Sequence, residues 1–151
     1  MLTLEPLLTF TNPITVQAIG ATPFGTRTTY IVGAGTFEGP RLRGTILPGG
    51  GDWMTEGADG LCQLDVRKTF ATDDGALIDV RYTGLYRYSE TVSARLAAGL
   101  SCDFGDTLFQ VQARFATGAD KYHWLNATLA VGEACETAQG VRYRLYAIVR
   151  A

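Results

Sequence analysis

The sequence predicts an all-β fold, an antiparallel barrel of about eight to ten strands with one short helix. Three observations lead to this prediction. Hydrophobic residues recur with period two along most of the chain, turn signals separate these runs about every 8–12 residues, and only one segment has helical spacing. One short helix cannot cover a sheet, so the strands must cover one another, and closure also removes their exposed edges. The 151 residues contain no linker or repeat, which indicates a single domain over residues 1–151.

The first half of the chain alternates apolar and polar residues in four runs. We predict strands over residues 1–10, 14–20, 26–33 and 36–47. The three glycines 49–51 that follow are predicted to form a turn. They do not form a phosphate-binding loop, because neither the Lys-Ser/Thr pair nor a helical pattern follows them.

The second half shows the same alternation. Strands are predicted over 61–71 and 76–88, joined by a TDDG turn whose Asp-Gly pair is typical of hairpins. Further strands are predicted near 106–116, 123–132 and 140–150. The helix is expected over residues 89–101, where Ser89 is placed to cap its start and Gly99 to end it.

Composition argues against several classes of protein. A net charge of −2 without long runs of Lys or Arg gives no reason to expect nucleic acid as a partner. No apolar segment approaches the roughly 18–20 residues that span a bilayer, so no membrane association is expected. The N-terminus lacks the features of a secretory signal, and the odd number of cysteines (Cys62, Cys102 and Cys135) favours reduced thiols in the cytoplasm. Only one histidine and no C-x-x-C motif occur, so neither a metal site nor a cofactor is predicted.

The hairpin over residues 61–88 carries the first candidate site. A hairpin loop of even length places Asp65 and Arg67 on the same face as Ile78, Val80 and Tyr82. This face would combine an acid, a base and a phenol with aliphatic groups, which is typical of a small-ligand cavity inside a barrel. The alternative is a surface ion pair between Asp65 and Arg67.

The stretch "RLRGTILPGGGDW" carries further candidates. Arg41 and Arg43 share one strand face, which is either a solvated outer face or an inward cationic pair that binds an anion. The predicted glycine turn would bring Asp52 and Trp53 to the mouth of the cavity.

The stretch "KYHWLN" is the last cluster. On a strand, Tyr122, Trp124 and Asn126 would share one face. Their aromatic rings are either part of the core or, together with Trp53, stacking walls for a planar ligand.

Several of these segments also carry a family resemblance. "GPRLRGTILPGGGDW", "LDVRKTFATDDGALIDVRYTG" and "YHWLN" occur in this order, and over roughly residues 8–149 the chain resembles the domain-of-unknown-function family 3237 of small bacterial and fungal proteins. The resemblance implies a calycin-like antiparallel β-barrel, and some members are associated with the tailoring of small metabolites. The segment "YSETVSARLAAGLSCDFGD" is a departure that would reshape the cavity mouth, so a relative's substrate does not carry over.

Together these features predict a cofactor-independent enzyme that acts by proton transfer on a small planar carbonyl compound, as an isomerase, cyclase or hydratase/lyase. Asp65 would be the general base, Arg67 with Arg41 or Arg43 would stabilise the enolate, and Tyr82 would donate a hydrogen bond. The expected substrate-binding residues are Arg41, Arg43, Asp52, Trp53, Tyr122, Trp124 and Asn126. The alternative is a non-catalytic binder or carrier of a small molecule, and a homodimer is compatible with either function.

Overall fold

The computed structural model describes all 151 residues, which form ten strand segments, one α-helix and one 3₁₀ helix. The strands are β1 (Leu2–Asn12), β2 (Ile14–Thr22), β3 (Gly25–Val32), β4 (Gly35–Glu38), β5 (Arg43–Glu56), β6 (Leu61–Thr72), β7 (Leu77–Arg87), β8 (Phe109–Ala116), β9 (Leu129–Thr137) and β10 (Gly140–Arg150). Helix α1 spans Glu90–Ala97 and the 3₁₀ helix spans Asp120–Ala127.

The ten segments behave as eight strands of a closed antiparallel barrel. β1 and β2 are one long strand interrupted at Pro13, and β3 and β4 are another, interrupted at residues 33–34; β1 pairs with β4 while β2 pairs with β3. The remaining strands follow in chain order, and β10 returns to pair with β1, which closes the sheet. The prediction of an all-β barrel is confirmed, including its calycin-like, antiparallel character. No helix is long and apolar enough to cross a lipid bilayer.

The glycine-rich stretch is not the turn that the sequence suggests. The predicted strand 36–47 is divided, because the chain turns between Glu38 and Arg43, and β5 then continues through all three glycines to Glu56. The pairing of β5 with β6 shifts register between Leu47 and Gly51, so the glycines form a β-bulge. This bulge bends a long strand and adds local twist.

We expect Gly50→Ala to lower the free energy of unfolding by about 1–3 kcal/mol. A Cβ atom at Gly50 would lie 2.4 Å from the backbone oxygen of Arg67, so β5 and β6 would have to move apart. Gly118→Ala is the matched control, because no atom lies within 4 Å of its Cβ position and its φ is ordinary. Urea unfolding of both variants measures the difference, and equal stabilities would contradict the close approach of the two strands.

The two helices close and flank the barrel. Helix α1 confirms the predicted helix: the Ser89 hydroxyl accepts a hydrogen bond from the Val92 N–H (3.3 Å), and Gly99 has a φ of 74° just beyond its end.

The predicted strand over 123–132 is wrong in its first part, because residues 120–127 form the 3₁₀ helix. Its buried side chains Tyr122 and Leu125 pack into the core and plug one end of the barrel.

The three cysteines Cys62, Cys102 and Cys135 are buried free thiols.

Candidate functional site

The barrel encloses a cavity toward the end opposite the 3₁₀ helix. Its volume is about 70 Å³. Its walls are mostly aliphatic and aromatic and include four tyrosines, and four further lining residues carry an ionisable or amide group. The polar and ionisable side chains of the lining include Asn12, Asp52, Lys68, Tyr82, Glu136 and Tyr143.

Lys68 is the most unusual residue of this cavity. Its side chain is only 3% exposed, and its Nζ donates a hydrogen bond to Oδ1 of Asn12 (2.5 Å), which is itself buried. The amine lies 4.6, 5.1 and 4.8 Å from the ring centres of Phe10, Tyr82 and Tyr143. It forms no salt bridge. Burial lowers the pKa of Lys68 well below its usual value, an effect that the negative charge of Asp52 opposes.

Asp52 brings a carboxyl group into the same cavity. It follows the glycine bulge on β5, is 8% exposed, and accepts a hydrogen bond at Oδ1 from the backbone N–H of Asp65 (3.1 Å). Its Oδ2 receives no hydrogen bond from the protein. Burial raises the pKa of Asp52 to about 6, although the hydrogen bond from Asp65 and the charge of Lys68 act in the opposite direction. This carboxyl group therefore changes charge close to neutral pH.

The cavity also contains phenol groups. The hydroxyl of Tyr82 is fully buried and has no hydrogen-bond partner in the protein, and its ring lies 5.2 Å from that of Tyr143 in an edge-on contact. Burial raises the pKa of both phenols, and the nearby hydroxyl of Tyr143 adds to the shift of Tyr82, although the two hydroxyls do not form a hydrogen bond of normal geometry. Burial also raises the pKa of Glu136, which lies at the rim near Tyr86. An unpaired hydroxyl inside an apolar cavity is a donor that a ligand can use.

The orientation predicted for Asp65 and Arg67 is corrected by the structure. Both side chains are exposed on the outer surface of β6, so neither reaches the cavity. In the β6–β7 pair, Val66 faces Tyr82, and the last paired residues, Ala71 and Leu77, enclose an odd number of residues. The even-numbered residues of β6 therefore point inward. Tyr82 and Asp52 do lie in the cavity, whereas Asp65 contributes only its backbone N–H.

The predicted arginine pair also points away from the cavity. Arg41 and Arg43 are exposed at the plugged end of the barrel. The guanidinium of Arg41 stacks 3.6 Å from the ring centre of Trp124, and Arg43 forms an exposed salt bridge with Asp73 (3.5 Å). The two arginines therefore do not form an inward cationic pair, and each contacts a neighbouring segment at the surface.

The residues of the stretch "KYHWLN" lie at the end of the barrel that the 3₁₀ helix plugs. The hydroxyl of Tyr122 donates to Asp74 (2.9 Å), and Asn126 exchanges hydrogen bonds with the backbone of Thr117. These contacts fix the 3₁₀ helix to the neighbouring turns. Trp53 lies on the outer face, 47% exposed, with its ring against Gly51. The structure therefore does not bring these side chains to the cavity.

Sequence reasoning missed Lys68, Asn12 and Tyr143 as a group. The signal for Lys68 was present, because it lies in phase with Cys62, Leu64, Val66 and Phe70 in "LCQLDVRKTF". A lysine in phase with an apolar strand face predicts a buried amine. Asn12 similarly continues the alternation of inward residues on β1.

The aromatic walls of the cavity surround three reactive groups. They are a carboxyl group whose pKa is about 6, a buried amine and a phenol without a hydrogen-bond partner. This set can move a proton and can donate hydrogen bonds to an oxygen atom of a small molecule.

Solved structures share this architecture over nearly the whole chain. A β-barrel-like protein from Acinetobacter baumannii is 35% identical, with a TM-score of 0.82 and coverage of 99% of this chain and 97% of the other. A conserved protein of unknown function from Rhodopseudomonas palustris is 26% identical, with a TM-score of 0.86 and 99% of both chains covered. A protein from Penicillium herquei, described as an enzyme, shares the fold at 21% identity with a TM-score of 0.76, covering 98% of this chain and 95% of that one.

Sequence comparison gives the same grouping. A UPF0311 protein of Rhodopseudomonas palustris is 30% identical over 126 residues, which cover 83% of this chain and 82% of the relative. The sequence profile described as "Protein of unknown function (DUF3237)" matches residues 2–148. The chain therefore belongs to the DUF3237 family, a family of proteins of unknown function.

Proposed function

We propose that this protein is a cofactor-independent enzyme that transfers a proton on a small, planar, carbonyl-bearing metabolite, in a reaction of the isomerase, cyclase or hydratase/lyase type. One observation carries the proposal: Asp52 and Lys68 are both buried in one aromatic cavity without forming a salt bridge. Burying two ionisable groups is costly, and such groups cluster at functional sites. The roles first assigned to Asp65 and Arg67 therefore pass to residues that face the cavity.

In the proposed step, ionised Asp52 removes a proton from the carbon next to the carbonyl group. The electron pair of the C–H bond moves toward the carbonyl oxygen and forms an enolate. A donor must stabilise the developing negative charge, and we assign this role to the buried hydroxyl of Tyr82, which has no hydrogen-bond partner in the protein. Return of the proton to a different carbon completes an isomerisation, and loss or gain of a neighbouring oxygen group gives the lyase and cyclase variants.

The size of the cavity restricts the substrate. A cavity of about 70 Å³ admits the carbonyl end of a small molecule, and the planar remainder would lie at the opening of the cavity. Aromatic walls favour a flat, partly apolar ligand.

Exchange of the methyl protons of acetophenone in D₂O, followed by NMR, tests the proposal. We expect the protein to accelerate exchange, with a rate that rises with pH through about 6 and then levels off, because Asp52 is a base only when ionised. Line broadening of the same ketone signals reports binding. A rate that does not exceed the buffer rate despite binding would reject the enzyme.

A carrier function is the second candidate. The largely apolar lining, with Asp52 and Lys68 as polar anchors, is also typical of a binding site that performs no chemistry. Binding of acetophenone without proton exchange is the result expected for a carrier.

A further inference from the structure

We propose that Lys68 reacts covalently with a carbonyl ligand in the barrel cavity, forming an imine through its Nζ atom. The inference rests on the proposed function, since it takes the same carbonyl group as the ligand and names the residue that would hold it.

The surroundings of Lys68 suit a neutral amine. An ammonium group has three N–H bonds to satisfy, but Nζ has one hydrogen-bond acceptor, the neutral amide oxygen of Asn12 (2.5 Å). No carboxylate forms a salt bridge with it. A neutral amine in this position donates one N–H to Asn12 and keeps a lone pair available to a ligand.

The aromatic rings around Nζ favour the charged form of the amine. The faces of Phe10, Tyr82 and Tyr143 lie 4.6–5.1 Å from Nζ and attract a cation. Loss of hydration from a fully buried ammonium group outweighs this attraction, so burial keeps the pKa of Lys68 well below its usual value. The rings also leave an apolar space in which a planar carbonyl compound can approach the amine.

The reaction balances without an oxidant or reductant. The lone pair of Nζ forms a bond to the carbonyl carbon, the carbonyl π bond breaks, and a proton moves from nitrogen to oxygen to give a carbinolamine. A further proton from solvent at the open mouth lets the hydroxyl leave as water, and a C=N bond forms to Nζ. Addition of water reverses the sequence and releases the carbonyl compound.

An imine would also assist the proton transfer. A protonated imine withdraws electrons from the adjacent carbon more strongly than a ketone does, so the α-proton becomes more acidic. Asp52 lines the same cavity as Lys68 and is the carboxylate available to remove it.

The chain offers a direct test because it has only two lysines, Lys68 and Lys121. Lys121 is exposed, with its ammonium paired to Asp74 (2.6 Å), and serves as the internal reference. Folded protein is incubated at pH 7 with benzaldehyde and sodium cyanoborohydride, which reduces an imine to a stable secondary amine. Peptide mass mapping then locates the adducts.

We expect Lys68 to be modified at least about tenfold faster than Lys121, because an ordinary lysine is almost wholly protonated at this pH. The preference should disappear when the protein is unfolded in urea before labelling. Lys121→Arg should leave the Lys68 adduct unchanged, and Lys68→Arg should lose it. Adducts confined to Lys121 and the N-terminal amine of folded wild-type protein would overturn the inference, and this result does not depend on how any variant folds.

The two proposals fail in different ways. Proton exchange on acetophenone without trapping at Lys68 would overturn the imine and leave the enzyme standing. Trapping at Lys68 without proton exchange would support the imine and reject the proton-transfer enzyme.

Discussion

Asp52→Asn is expected to slow proton exchange on acetophenone by about 10²–10⁴-fold and to raise the free energy of unfolding at pH 7.5 by on the order of 2–3 kcal/mol. The first effect follows because the amide is not a base. The second follows because wild-type folding holds an ionised carboxylate in an apolar cavity. The substituted side chain has almost the same shape, and its amide oxygen can still accept the N–H of Asp65.

The pH dependence of this stability has a defined sign. The pKa of Asp52 is about 6 in the folded protein, compared with about 3.9 in an unfolded chain, so the folded state binds the proton more tightly. The contribution of Asp52 to stability is fully present below about pH 4 and is lost as the pH rises through 6. Wild-type protein should therefore lose this increment between about pH 4 and 6, and Asp52→Asn should not.

Asp65→Asn is the matched control for both effects. Asp65 belongs to the neighbouring strand, its carboxylate is exposed on the outer surface, and its backbone N–H is unchanged by the substitution. We expect exchange close to the wild-type rate and a change in stability within about 0.5 kcal/mol. Loss of exchange in Asp65→Asn with retention in Asp52→Asn would reverse the assignment of the base.

Lys68 has the opposite effect to Asp52: its contribution to the free energy of unfolding increases as the pH rises. Because burial lowers its pKa, the unfolded chain binds the proton more tightly, and stability rises with pH toward the unfolded value of about 10.4. The difference between wild type and Asp52→Asn at each pH gives the contribution of the carboxyl group together with its interaction with Lys68. Two buried ionisable groups that both weaken the fold in their charged forms are typical of a site kept for function.

The alternation of apolar residues was sufficient to predict the barrel, and Cys62, Leu64, Val66 and Phe70 mark the inward face of β6, but the alternation does not show which face of β7 lies beside it. That depends on whether the hairpin between β6 and β7 encloses an odd or an even number of residues. The hydroxyl of Thr72 donates to Asp74 (2.6 Å) and accepts the N–H of Ala76 (2.9 Å), which sets the loop between Ala71 and Leu77. An Asp-Gly pair alone does not reveal this arrangement, and an error of one residue exchanges Asp65 for Lys68 in the cavity.

The stretch "KYHWLN" failed for a different reason. Alternating aromatic and polar residues suggested a strand, yet the buried residues are Tyr122 and Leu125, which are three apart. The segment consists of two short 3₁₀ helices that meet at a kink at Tyr122, where φ is −110° and ψ is 15°. Six residues are too few to separate the two periods, and contacts with Asp74 and the barrel end decide between them.

Phe70→Ala is expected to lower the free energy of unfolding by about 3–5 kcal/mol, the largest loss we predict for a core substitution. Phe70 is fully buried, stacks on Phe37 with ring centres 4.6 Å apart and meets Phe10 edge-on at 5.2 Å. Removing the ring leaves a cavity, and the hydrogen-bonded strands of the closed barrel cannot move inward to fill it. Phe70→Leu keeps most of the volume and should cost clearly less, so denaturant unfolding of the pair separates cavity formation from loss of aromatic contact. Equal losses in the two variants would contradict the cavity explanation.

The same substitution tests what keeps Lys68 neutral. Phe70 supports Phe10, whose ring lies 4.6 Å from Nζ, so the space left by Phe70→Ala opens beside the amine. Water in that space would hydrate the ammonium form and move the pKa of Lys68 back toward its usual value. We therefore expect trapping of benzaldehyde at Lys68 at pH 7 to fall in Phe70→Ala and to be nearly retained in Phe70→Leu, although neither change touches the lysine. Undiminished trapping in a folded Phe70→Ala protein would mean that dryness around the amine does not control its reactivity.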